Sequence, residues 1–193
     1  PSVMGNGANL SCASSADGSI DLGISGGTQP YNVAWTGPNG FQASSEDISN
    51  LAPGLYTAII TDANGCSFAT QAELVAPSPI GTTITTSTYS GGNAVSCAGA
   101  ADGAITLATT GGSPGYLVAW NGPGGFTSNQ TSLTNLSPGT YSAVVTDLLG
   151  CSASTSVTLN APLPVTSIVV LSNHNGYEVG CAGNDGTIDL SVN

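Results

Sequence analysis

Apolar and polar residues alternate along this chain in short runs, and the runs recur. "GSIDLGIS", from Gly18, puts Ile20, Leu22 and Ile24 on one side of an extended strand, and "GAITLATT", from Gly103, does the same with Ile105 and Leu107. "YNVAW" and "YLVAW" form a second alternating pair, "GLYTAIIT" and "GTYSAVVT" a third, and "CSFATQAEL" and "CSASTSVTL" a fourth. Gly26-Gly27, Gly37-Pro38, Asn39-Gly40, Pro53-Gly54 and Asn64-Gly65 separate them, and such dipeptides mark turns. No segment shows helical periodicity bounded by capping residues. The pattern predicts strands only.

The runs belong to a repeat. Residues 12–77 align with residues 97–162 at a constant offset of 85, without a gap and with 32 identities in 66 positions. A third copy starts after Pro164, where Cys181, Asp185-Gly186 and Ile188 echo Cys97, Asp102-Gly103 and Ile105. The first copy has no counterpart of residues 77–85, and the third ends before its Trp and Tyr positions. We therefore expect repeat 1 over residues 1–78, repeat 2 over 79–163 and the first part of repeat 3 over 164–193, within a longer protein. Short strands at this spacing, in a unit of about 85 residues, predict an all-β fold of tandem immunoglobulin-like sandwiches forming an elongated rod. "Leu-x-Pro-Gly-x-Tyr" then places Tyr56 and Tyr141 as tyrosine corners, with Trp35 and Trp120 in the cores. The Pro-x-Pro segments "VAPSPIG" and "NAPLPVT" predict stiff connections between copies. The 165–193 segment, with at most two strands, is expected to lack a core of its own.

Composition narrows the function. The chain has 11 acidic residues, no Lys or Arg, and one His, His174. Phosphate neutralisation needs cations, so nucleic acid is excluded as a partner, and so is electrostatic attraction to an anionic membrane surface. With 6% charged residues and 40% hydrophobic ones, stability must rest on packing, backbone hydrogen bonds and disulfides. No apolar run is long enough to span a bilayer as a helix. A chain without Lys or Arg also offers no site to proteases that cut after those residues.

Five cysteines lie at 12, 66, 97, 151 and 181. The repeated spacing of 54 suggests disulfides joining Cys12 with Cys66 and Cys97 with Cys151, leaving Cys181 to a partner beyond the segment. One geometric conflict stands beside this reading. If Asp17-Gly18 turns into the first strand, Cys12 and Cys66 fall near opposite ends of a sandwich, whereas a disulfide needs Cα atoms within about 7 Å. Either the first strand is irregular or the pairs differ, and buried free thiols are the remaining alternative.

In order along the chain, "C-x4-D-G-x-I", "G-G-x3-Y-x3-W", "N-L-x-P-G-x-Y" and "T-D-x2-G-C" resemble the SprB repeat of giant cell-surface adhesins of the Bacteroidota. The resemblance covers nearly the whole chain. It implies export by the type IX secretion system, display on the outer surface, and a role in adhesion or gliding motility. The second copy departs at Gly115, where the first has Pro30, which alters a loop.

Candidate sites are sparse. Asp62-Ala63-Asn64-Gly65 offers clustered oxygens of the kind calcium prefers, with Asp62 and Asn64 as ligands, but the second copy has Leu149 in place of Asn64. Turn formation accounts better for the shared Asp and Gly. No cofactor is expected. Asp21, Glu46, Asp47 and Glu73 are not shared between copies and read as surface variation. Tyr31, Trp35 and Phe41, with their counterparts Tyr116, Trp120 and Phe126, offer a sugar-stacking platform, but the tryptophans are more at home in the core, and Phe41 and Phe126, which follow turns, are the candidates for exposure. No complete copy holds a His and no Lys exists, so Ser-His-Asp and Schiff-base chemistry have no residues to use, and no enzyme is expected. The expected function is that of a spacer in a filamentous surface adhesin, touching adjacent repeats of its own chain. The alternatives are weak multivalent binding of extracellular polysaccharide and a calcium-stiffened fibre.

Overall fold

The computed structural model describes the backbone of residues 1, 3–4, 7–171 and 188–192. Cys181 and His174 lie outside the described residues.

In the first copy, β1 (Gly18–Ile20), β2 (Asn32–Thr36), β3 (Gln42–Ala43), β4 (Ile48–Leu51), β5 (Gly54–Thr61) and β6 (Ser67–Leu74) form two sheets, in the orders β1-β4 and β3-β2-β5-β6. The second copy adds β7 (Gly81–Thr86) ahead of β8 (Gly103–Thr110), β9 (Leu117–Asn121), β10 (Thr127–Ser128), β11 (Ser132–Leu136), β12 (Gly139–Thr146) and β13 (Ser152–Leu159). Its sheets run β11-β8-β7 and β10-β9-β12-β13. All pairs are antiparallel, and the third and sixth strands of the seven neighbour each other as in immunoglobulin sandwiches. β14 (Ser167–Leu171) and β15 (Ile188–Val192) pair antiparallel as the start of the third copy.

Each copy closes over its own hydrophobic cluster. Trp35, Tyr56, Ala58, Leu51 and Leu74 pack with Leu10 and Ile20 in the first, and Trp120, Tyr141, Ala143, Val145 and Leu159 with Ile105 and Leu136 in the second. Three of the four runs read from alternation become β2, β5, β6 and their equivalents, as the period of two requires. "GSIDLGIS" departs from expectation. Only Gly18–Ile20 is strand, whereas its counterpart is strand for all eight residues. The reason is pairing: β7 hydrogen-bonds along β8 from Thr110 to Ile105, and β1 has no such neighbour. On the other edge the Asp47 carboxylate accepts the Leu22 N–H at 3.0 Å, where Leu107 in the second copy donates to the Thr131 carbonyl. Asp47 is exposed and unshared, and its side chain stands in for that carbonyl just ahead of β4.

Two strands escaped alternation altogether. In "ISNL" and "SLTNL" the buried residues are three apart, Ile48 with Leu51 and Leu133 with Leu136. Asn50 and Asn135 both adopt φ of 57°, and the register shifts where these strands meet β1 and β8. A left-handed residue here makes a bulge that turns both leucines inward. The Asn of "N-L-x-P-G-x-Y" was the signal.

Candidate functional site at the joint between the copies

The strand directions set where each cysteine lies. β1 begins beside Leu51 and Leu74, next to the start of β5, while the hairpin holding Cys66 closes the far ends of β5 and β6. Eight residues of β5 separate these ends, roughly 25 Å at strand rise. Cys12 therefore cannot reach Cys66, and Cys97 cannot reach Cys151. The expected pairing within each copy is replaced by one between copies: Cys12 is bonded to Cys151, with Cα atoms 5.7 Å apart. Cys66 and Cys97 are free and exposed. The sequence separation of 139 is one repeat offset of 85 plus the spacing of 54, so the periodicity fits both pairings equally. The conflict over opposite ends spoke against the pairs within each copy but did not name this one.

The connecting segment is pinned from both sides of that bond. Asn9 clamps Val75 by donating its N–H to the Val75 carbonyl and accepting the Val75 N–H on its side-chain oxygen, each at 2.9 Å. At the other end the Gly112 N–H donates to the Ser78 carbonyl. Gly111, at φ 70°, lies so close that an added Cβ would sit 2.1 Å from the Pro79 carbonyl oxygen. Ile80 then packs onto the second core. Cys12, Pro77, Pro79, Ile80, Gly112 and Cys151 all line the resulting cleft of about 390 Å³.

The two loops that carry the bond are built by aspartates. Asp17 accepts the Ser11 N–H and the Ser15 hydroxyl, and Ser15 holds the Cys12 carbonyl. Asp147 accepts the N–H groups of Leu149 and Cys151 on one oxygen and that of Ser113 on the other, at 2.8–3.0 Å. Asp62 does the same for Asn64, Cys66 and Thr28. Hydrogen bonds from Ser11 and Ser15 hold Asp17 below the usual carboxylate range, those from Ser96 act likewise on Asp102, and the N–H groups of Cys66 and Thr28 lower Asp62. Burial is the largest influence on Asp147 and pushes upward, but the N–H groups of Ser113, Cys151, Leu149 and Gly150 together bring it down.

The calcium candidates Asp62 and Asn64 are therefore engaged in the turn. The Asn64 side-chain amide donates to the Thr28 hydroxyl at 2.9 Å. In the second copy Leu149 takes its place, and the Ser113 hydroxyl is buried without a partner.

Tyr56 and Tyr141 form the expected corners, donating at 2.9 Å to the carbonyls of Ala52 and Ser137. Burial pushes both phenols up, which keeps them as donors. Trp35 and Trp120 are core residues whose indole N–H groups bond to the Ser45 and Gln130 carbonyls. Phe41 and Phe126 are not free platforms. Each is half-buried and meets the corner tyrosine edge-on, with centroids 5.3 and 5.4 Å apart. Tyr31 and Tyr116 donate to the Gly26 and Gly111 carbonyls.

Two stacked sheets, a tryptophan in the third strand and a tyrosine corner at the sixth define an immunoglobulin-like sandwich, seen with all seven strands in the second copy and without the first of them in the first copy. Residues 6–40 and 93–125 match the SprB repeat family model, one segment in each copy. Among solved structures, it is similar to the amphioxus IgVJ-C2 molecule at 18% identity, over 78% of this chain and 99% of that one, with a TM-score of 0.37. It is also similar to a chain of the complex of Dpr2 Ig1-Ig2 with DIP-Theta Ig1-Ig3, at 13% identity over 73% and 60% of the two chains, with a TM-score of 0.29. No curated protein matches. Among the described residues no helix is long and apolar enough to cross a membrane.

Proposed function

We propose that these repeats are a non-catalytic spacer in a giant filamentous adhesin, exported to the bacterial surface by type IX secretion and serving adhesion and gliding by mechanical reach. The observation that carries this reading is the joint. A disulfide and a connecting segment bonded to both copies resist hinging better than a flexible linker would, and a spacer needs that property. The engagement of Phe41 and Phe126 with the tyrosine corners supports a structural role over sugar stacking.

Small-angle scattering with and without reductant, together with a glycan panel, tests the proposal. A spacer should have one extended dimension that broadens on reduction, and should bind no glycan saturably. Saturable binding by the chain would make each repeat an adhesive unit instead.

A further inference from the structure

The joint has two unlike halves, and each copy carries both. The half that Cys12 offers is a loop held by Asp17. The same loop recurs at Cys97: the Ser96 N–H donates to Asp102 Oδ1 at 3.1 Å as Ser11 does to Asp17 at 3.2 Å, and Ala100 caps the Cys97 carbonyl as Ser15 caps that of Cys12. The half that Cys151 offers is a hairpin cysteine beside a Gly-Gly pair and an apolar seat filled by Ile80. The same parts recur at Cys66. Gly26 holds φ of 79°, with open space where the Pro79 carbonyl presses on Gly111. Beside it an open cleft of about 360 Å³ is lined by Leu22, Ile24, Ile60 and Phe68, and Cys66 stands on its rim. Phe68 is 71% exposed there.

We propose that Cys66 and Cys97 are disulfide sites for further sandwiches of the same kind, under one joining rule: the early-loop cysteine of one unit bonds the hairpin cysteine of the next. Cys97 takes the hairpin cysteine of a following unit. Cys66 takes the early-loop cysteine of a preceding unit, whose Pro-x-Pro-Ile segment enters the cleft as Ile80 enters its own seat. The occupant is set by the second copy, where β7, of sequence Gly-Thr-Thr-Ile-Thr-Thr, follows Ile80, covers the equivalent edge and pairs with β8. Each bond forms when two thiols lose two protons and two electrons to a small-molecule disulfide, which leaves as two thiols. The array is thus stitched between units and never within one. The rule uses the observed joint but does not depend on the spacer reading, since adhesive units could be stitched in the same way.

Two lengthened forms of the full chain test the two halves separately. In one, residues 111–163 are added after Asn193, completing the third copy with its hairpin cysteine. In the other, residues 1–85 are added before Pro1, so that a preceding copy leads into the present one in register. Both carry a mass label in the added stretch only, Ser152→Thr in the first and Ala13→Ser in the second, and are folded in a mixture of oxidised and reduced glutathione, alkylated, digested unreduced with Asp-N and chymotrypsin, and mapped by mass spectrometry. The Cys12–Cys151 bridge in the same molecule reports that the original joint is intact. We expect Cys97 bridged to the added hairpin cysteine in the first form, and Cys66 bridged to the added early-loop cysteine in the second. Alkylation of Cys97 in the first form, or of Cys66 in the second, in molecules that hold the Cys12–Cys151 bridge overturns the rule, as does a bridge from that cysteine to Cys181 or within its own copy. Glycan binding would defeat the spacer reading and leave these bridges unaffected.

Discussion

Asn135 holds a left-handed backbone within β11, between the buried Leu133 and Leu136, and its side chain is secondary to that role. Asn135→Gly should leave stability nearly unchanged, whereas Asn135→Val, β-branched at positive φ, should cost about 1–3 kcal/mol. Denaturant midpoints of the two variants decide it, and equal losses would mean the side chain matters more than the backbone. At the tyrosine corner, Tyr141→Phe should cost about 0.5–1.5 kcal/mol, the net worth of its bond to Ser137. The hairpin of the second copy invites the opposite change. Leu149→Asn should raise the melting temperature by restoring to Ser113 the bond that Asn64 gives Thr28, and it removes an apolar side chain next to Leu148, itself 73% exposed. At this scale the sequence spoke clearly about Trp, Tyr and Gly. It was less clear about Phe41 and Phe126, whose exposure depends on a ring contributed by another strand.

Among elements, the aspartate-built turns govern response to acid. Asp17, Asp62, Asp102 and Asp147 all have lowered folded-state pKa values. Their stabilisation is complete above the unfolded value of about 3.9 and is lost as pH falls through that value towards the lowered folded one. Melting temperature should therefore hold between pH 5 and 8, as far as these groups act, and drop below about pH 4. Relief of the −11 net charge on acidification acts the other way, so the wild-type slope is compared with that of Asp147→Asn. The variant should show a shallower acid loss; an unchanged slope would remove Asp147 from the account. Strand positions were legible wherever a period of two survived. β4 and β11 were hidden by their bulges, and the shortness of β1 followed from a pairing partner that no local pattern reveals.

For the whole molecule, the Cys12–Cys151 bond closes 139 residues of chain, worth at most roughly 5 kcal/mol in the chain-entropy model. Cys151→Ser should lower the melting temperature and loosen the relation between the copies, while Cys66→Ser and Cys97→Ser should change neither in this chain. Calorimetry and scattering on the three variants separate these outcomes. Equal effects of all three would mean that the bond does not set the joint. The sequence by itself determined the repeat, the sandwich and its corners, because strand faces and turns are written in residues a few positions apart. It also left no Lys or Arg to neutralise a polyanionic partner, because charge is a sum over composition. The tertiary structure alone decided which cysteines meet. That choice depends on which end of one sandwich faces which end of the next, and a periodic sequence carries both pairings with the same spacing.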